Sequence, residues 1–176
     1  MTSPDLRSRV DGALREFLGH AMPPVAAIAD ELGPLVDATK AFVLDGGKRL
    51  RPAFCYWGYR AAGGDDGEPA VRAAASLELL QACALVHDDV IDRSETRRGA
   101  PAVHRRFAAL HRDEGWHGDA DQFGAAAAIL LGDLALIWAD AMLVGSGFDG
   151  ETLRRDQGHE ARLRNGTEGT HGYSCV

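Results

Sequence analysis

The sequence predicts an all-α fold, a bundle of long helices, and three observations carry that expectation. Apolar residues recur at the helical period over most of the first 145 positions. Period-two alternation appears nowhere with any strength. Glycine- and proline-rich breakers divide the chain into segments of helical length. In order, DLRSRVDGALREFLG follows Pro4 and places Leu6, Val10, Leu14, Phe17 and Leu18 on one stripe. Pro23-Pro24 should interrupt it, and a second helix is expected over 25–44, strained at Gly33-Pro34. DGG at 45–47 is a breaker, and a third helix over about 48–62 can carry Pro52 in its first turn. AAGGDDGEP at 61–69 reads as a loop.

A long helix then runs to about residue 92. Val71, Ala74, Ala75, Leu79, Cys83, Val86 and Val90 hold its apolar period, and alanine and leucine dominate it. An irregular stretch around Ser94, Thr96, Gly99 and Pro101 leads to a short helix over 102–112. Asp119 can cap a last helix through FGAAAAILLGDLALIWADAMLVG, which Gly145 and Gly147 end. Residues 1–148 thus read as the helical domain. Residues 149–176, polar and rich in glycine, read as a weakly structured tail.

Composition narrows the function classes. Lys plus Arg total 19 and Asp plus Glu 26, a formal charge of -7, so no broad nucleic-acid footprint is expected. Three cysteines show no metal spacing. Cys55 and Cys83 lie in apolar segments and are expected to be buried thiols in a reducing, cytoplasmic compartment. MTSPDLRSRVDG has no apolar signal core, and Asp133 breaks the longest apolar run, so no transmembrane segment is expected.

The chemistry concentrates in VHDDVIDRSETRRGA at 86–100. Asp88 and Asp92 are four apart and share a helical face, with Asp89 beside it. Like charges at that spacing repel, and a helix C-terminus disfavours anions. Mg²⁺ would resolve the conflict, because it takes one or two carboxylates together with waters and phosphate oxygens. Arg97 and Arg98 carry planar forks suited to phosphate; they could equally neutralise the aspartates. A second basic group follows Gly46 and Gly47: Lys48, Arg49 and Arg51, at the start of a helix whose backbone amides also favour phosphate. The GxxxxGK[ST] nucleotide loop is absent.

GGKRLRP at 46–52, LVHDDVIDRSETRRGAPAVH at 85–104 and AILLGDLAL at 128–136 resemble the trans-type polyprenyl diphosphate synthases. The resemblance covers roughly residues 25–145. It implies an isoprenoid-synthase-type helical bundle, usually dimeric, that condenses isopentenyl diphosphate head-to-tail with an allylic diphosphate. By the same resemblance Asp88, Asp89 and Asp92 hold Mg²⁺ against the allylic diphosphate. Arg97 contacts that diphosphate, while Lys48, Arg51, Gln81 and Arg98 serve isopentenyl diphosphate. The implied reaction is ionisation, condensation and loss of a proton, which needs no histidine base and must exclude water. Cys83 and Ala84 stand where bulky residues would floor the product cavity, so geranylgeranyl or longer products are expected.

The family's second aspartate-rich motif is missing. Asp133 and Asp140, seven apart, do not replace it. The chain is therefore expected to be a truncated member with little condensing activity by itself. Two alternatives stand beside the prenyltransferase reading. One is an inactive fragment or non-catalytic subunit of such a synthase. The other is a terpene cyclase-like enzyme, against which GGKRLRP argues because a cyclase has no isopentenyl site.

Overall fold

The structure, a computed structural model, describes residues 5–28, 32–44 and 47–148. The expected weak structure of 149–176 lies outside the described residues. Six helices follow in order: α1 (Leu6–Ala26), α2 (Gly33–Leu44), α3 (Leu50–Ala61), α4 (Glu68–Ile91), α5 (Val103–Asp113) and α6 (Ala120–Val144). Between α4 and α5 a two-residue ladder pairs β1 (Thr96–Arg97) with β2 (Ala100–Pro101), antiparallel, Thr96 against Pro101 and Arg97 against Ala100.

α4 and α6 form the central pair and run antiparallel. At one end Pro69 of α4 lies against Gly147, where an added Cβ would sit 3.5 Å away. At the other, the His87 ring Nε2 meets the Ile129 carbonyl at 3.1 Å. Small residues make this close approach possible. Gly132 has no room for a Cβ, which would fall 2.2 Å from His87 Nε2; Gly124 does the same for α5 against α6, since its Cβ would fall 2.2 Å from the His104 carbonyl. The larger core joins Val10, Leu14 and Leu18 of α1 to Val71, Leu79 and Cys83 of α4 and to Trp138 and Met142 of α6. A second core joins Ala38 of α2, Val86 of α4, Val103 and Phe107 of α5, and Ala128 and Leu131 of α6. Each fully buried leucine or valine contributes about 1.5–3 kcal/mol.

The last helix is capped as expected. The Asp119 carboxylate accepts from the Asp121 and Gln122 amides at 2.8 and 3.0 Å, and these bonds hold its pKa below the ordinary value. Four expectations are corrected. First, α1 continues through Pro23-Pro24 to Ala26 instead of stopping, and the next helix starts at Gly33, not 25. The missing proline N–H groups would have met the Gly19 and His20 carbonyls. That turn is exposed, so water can serve those carbonyls, while Met22 and Val25 keep packing on the inner side. Second, Cys55 is exposed, though Cys83 is buried as expected. α3 seats itself through Pro52 and Tyr56 and turns Phe54 and Trp57 outward, 77% and 60% exposed. Third, Asp133 does not leave the apolar run too short to span: α6, with 25 residues, and α4, with 24, are long and apolar enough to cross a bilayer by length and composition. Here the two helices form the central seam. Fourth, a small strand ladder replaces the irregular stretch after α4.

Candidate active site

The end of α4 and the hairpin after it build the site. α4 closes at Ile91, with Asp92 as its C-cap. The chain then turns through Arg93, in the left-handed region at φ 53°, and reaches the hairpin. Two residues, Arg98 and Gly99, connect the strands, both with positive φ (54° and 79°). A two-residue connection of that kind suits the right-handed twist of paired strands. It also brings Arg97 back toward the last turn of α4.

The structure divides the three aspartates, which the sequence groups as one cluster. Asp89 is fully buried and forms a bidentate pair with Arg97. Arg97 Nε donates to its two carboxylate oxygens at 3.0 and 3.1 Å, and Nη2 donates to Oδ1. This pairing holds the Arg97 pKa above its ordinary value. Asp88 and Asp92 are exposed on the other side of the turn. Arg97 Nη2 also reaches Asp88 Oδ2 at 3.6 Å. Among the described residues no three His, Cys, Asp or Glu side chains cluster closely enough to hold one ion. Two exposed carboxylates on one face do suit Mg²⁺, which keeps waters and takes phosphate oxygens for its other positions.

The basic segment splits in the same way. Arg49 is buried, and it is left-handed at φ 51°. Its Nε donates to Asp11 at 2.8 Å and its Nη1 to Glu78 at 2.6 Å. Its Nη2 donates to the carbonyls of Val43 and Leu44 at the end of α2. The left-handed backbone costs on the order of 1 kcal/mol, which four charge-assisted bonds outweigh. Arg49 is buried and commits four of its five donors to the protein, against its inclusion in the basic patch. Lys48 and Arg51, either side of it, are exposed and make no ion pair among the described residues. Arg98 lies over the Phe42 ring, 5.5 Å from its centroid, with Nη1 3.4 Å from the Phe42 carbonyl. Arg98 and the Arg49 segment thus converge on the last turn of α2. Gln81 lies on α4, one turn after Glu78, half-buried.

Cys83 and Ala84 face different ways. Ala84 is exposed on the open face that leads to Asp88; Cys83 turns into the α4–α6 seam, its sulfur 3.8 Å from His87 Nδ1. Leu80 and Ile91 on α4, and Leu130 and Ile137 on α6, are also exposed. His87 is held by the Ile129 carbonyl, with Asp133 at 3.6 Å, and has a packing role. A cavity of about 590 Å³ lies between α1 and α2 and shares no residue with the aspartate turn. Sequence reasoning missed Asp11 and Glu78 as partners of Arg49. Glu78 carried a usable signal, as a lone acid inside the apolar run SLELLQ.

Comparisons with known proteins bear on the family and the fold. A short chain isoprenyl diphosphate synthase of Methanothermobacter thermautotrophicus is 43% identical over 93 residues, covering 52% of this chain and 28% of that protein. A geranylgeranyl diphosphate synthase of Methanosarcina mazei is 33% identical over 147 residues, covering 84% and 37%. The crystal structure of a geranylgeranyl pyrophosphate synthase from Corynebacterium glutamicum, complexed with isoprenyl diphosphate and magnesium, superposes with a TM-score of 0.80 at 39% identity, covering 94% of this chain and 48% of that one. The chain thus spans less than half the length of each. The polyprenyl synthetase family profile matches residues 34–157, and the chain belongs to that family.

Proposed function

We propose that the chain carries the diphosphate-binding half of a head-to-tail prenyltransferase that joins isopentenyl diphosphate to an allylic diphosphate. The observation that carries this reading is the divided turn. Asp88 and Asp92 are exposed on one face, and Asp89, buried behind them, aims Arg97 at the same place. In this reading Asp88 and Asp92 hold Mg²⁺, and Asp89 acts through Arg97. When bound, the metal supplies positive charge to the leaving diphosphate. Arg97 supplies a fixed fork for its oxygens. Lys48, Arg51, Gln81 and Arg98 hold isopentenyl diphosphate, and Lys48 and Arg51 disfavour the cyclase alternative, which has no second diphosphate to bind. The growing chain runs along the face of Ala84 and Leu80. That small alanine favours geranylgeranyl or longer products, with Cys83 acting from behind. Free Cys55 and Cys83 support a reducing, cytoplasmic setting.

Condensation needs water excluded from the cation. The faces of α4 and α6 that would enclose it are exposed in the described residues. Those faces favour a second reading, a subunit that works only when another chain covers them, including a second copy as in a homodimer. Calorimetry with geranyl diphosphate tests the first reading. Binding should require Mg²⁺ and be lost in Asp88→Asn; metal-independent binding that survives that change would overturn it. Product analysis of the chain alone, then mixed with a full-length synthase, tests the second. Full turnover by the chain alone as a monomer would exclude it.

A further inference from the structure

Between α2 and α3, the segment that carries Lys48 and Arg51 has little of its own to hold it. Arg49 stands at the N-cap of α3 and gives it no side-chain cap. Gly47 and Lys48 make no backbone hydrogen bond among the described residues. The Arg49 side chain fixes the segment instead, by reaching into three helices. It donates to Asp11 of α1 at 2.8 Å, to the Val43 and Leu44 carbonyls of α2 at 3.0 and 3.3 Å, and to Glu78 of α4 at 2.6 Å. The Glu78 bond has a consequence that the others lack. Glu78 stands three residues before Gln81, on the same face of α4. Gly47 also lies against it, since a Cβ at Gly47 would sit 3.8 Å from Glu78 Oε2. One carboxylate, 10% exposed, is thus the fixed point shared by the Gly47–Arg51 segment and the turn of α4 that carries Gln81. Lys48 and Arg51 are exposed on either side of the buried Arg49. Two long, flexible cations hold a diphosphate in one geometry only when the backbone beneath them is fixed.

We infer that Arg49 and Glu78 are positioning residues for isopentenyl diphosphate: the pair touches no substrate and sets Lys48 and Arg51 at a constant distance from Gln81. The inference rests on the reading above in which those three residues hold that diphosphate. Asp11, the other carboxylate on Arg49, lies on α1 and is tied to none of them by position in the chain, which makes it the control. Neutralising either acid removes negative charge from beside Lys48 and Arg51, and by Coulomb attraction alone that should tighten anion binding. Lost positioning should weaken it. The two effects differ in sign.

Calorimetric titration of the whole chain with isopentenyl diphosphate tests this, in EDTA and well below each variant's melting midpoint. Glu78→Gln should weaken binding about tenfold, the worth of one charge-assisted contact. Glu78→Asp keeps the charge but shortens the arm by a methylene, and should weaken binding by less. Asp11→Asn should bind as tightly as the parent or more tightly, although it too should melt earlier. If Glu78→Gln does not fold, Glu78→Asp carries the comparison. Equal weakening in the Asp11 and Glu78 variants would mark a merely structural role and overturn the inference. Parental or tighter binding in the Glu78 variants would overturn it as well. Lys48→Ala reports separately on the reading beneath. If the parent does not bind, or Lys48→Ala binds as the parent does, the assignment of Lys48 fails and the inference fails with it. A loss in Lys48→Ala with none in the Glu78 variants defeats the positioning pair alone.

Discussion

Arg49 and Arg97 invite comparison. Arg49 is itself left-handed and Arg97 precedes left-handed Arg98, each in a short connection, and both pair with helix carboxylates: Arg49 with acids 38 and 29 residues away, Arg97 with Asp89 only 8 residues back. Arg49 is 5% exposed and spends its donors on two carboxylates and two carbonyls. The Arg97 side chain is 29% exposed and has one buried carboxylate behind it and one exposed carboxylate beside it. The first network is closed and ties α1, α2 and α4 together. The second is closed at the back and open at the front. An arginine pinned on one side by a buried acid is held in place yet keeps donors for a ligand, which is what a preorganised anion site needs.

Breaking the closed network should have the largest effect. Arg49→Met leaves Glu78, whose side chain is only 10% exposed, without its cation. We expect a loss of about 3–5 kcal/mol by chemical denaturation, and Arg49→Lys should recover part of it. Breaking the half-open one should cost less. Asp89→Asn keeps the shape and removes one charge from a buried pair, so about 1–3 kcal/mol is expected. Its mark should be a greater loss of Mg²⁺-dependent geranyl diphosphate affinity than the stability change alone would produce.

A fixed and a yielding neighbour differ in the same way along α6. Gly124→Ala drives a methyl into the His104 backbone carbonyl, which cannot move; about 1–3 kcal/mol should be lost in a melt. Gly132→Ala meets only the His87 ring, which can swing away, so a smaller loss is expected, partly offset by the roughly 1 kcal/mol gain in helix propensity.

His104 sharpens the contrast by pH. Burial, helped by the Arg105 charge, holds its pKa below the ordinary 6.5, although Asp89, Glu95 and Asp121 pull the other way. The unfolded chain therefore takes up a proton first. Stability present above pH 6.5 should fall as pH drops through 6.5 toward the folded value. Thermal midpoints recorded across that window should slope less in His104→Asn; an unchanged slope would remove His104 as the cause. The smallest stability effect belongs to the open front. Asp88→Asn should shift stability by less than about 0.5 kcal/mol, while removing Mg²⁺-dependent diphosphate binding.

The helices were legible because periodicity and caps are local. α4 and α6 begin and end within two residues of their expected bounds, and Asp119 caps as its position suggests. The aspartate turn and the arginine pair were legible as a group, since their spacing alone puts them on neighbouring turns. Their division was not. Asp88 and Asp89 are adjacent and chemically identical, and the fold buries Asp89 against Arg97 of the hairpin while leaving Asp88 exposed.

The sequence by itself determined the helical architecture and the acidic and basic residues at the candidate site, because helical period and charge spacing act over one or two turns. The tertiary structure alone decided which charges remain for a ligand. Asp11 and Glu78 lie 38 and 29 residues from Arg49, and Arg98 lies 56 from Phe42. A guanidinium is committed or available according to what the fold brings against it, and no local pattern encodes that.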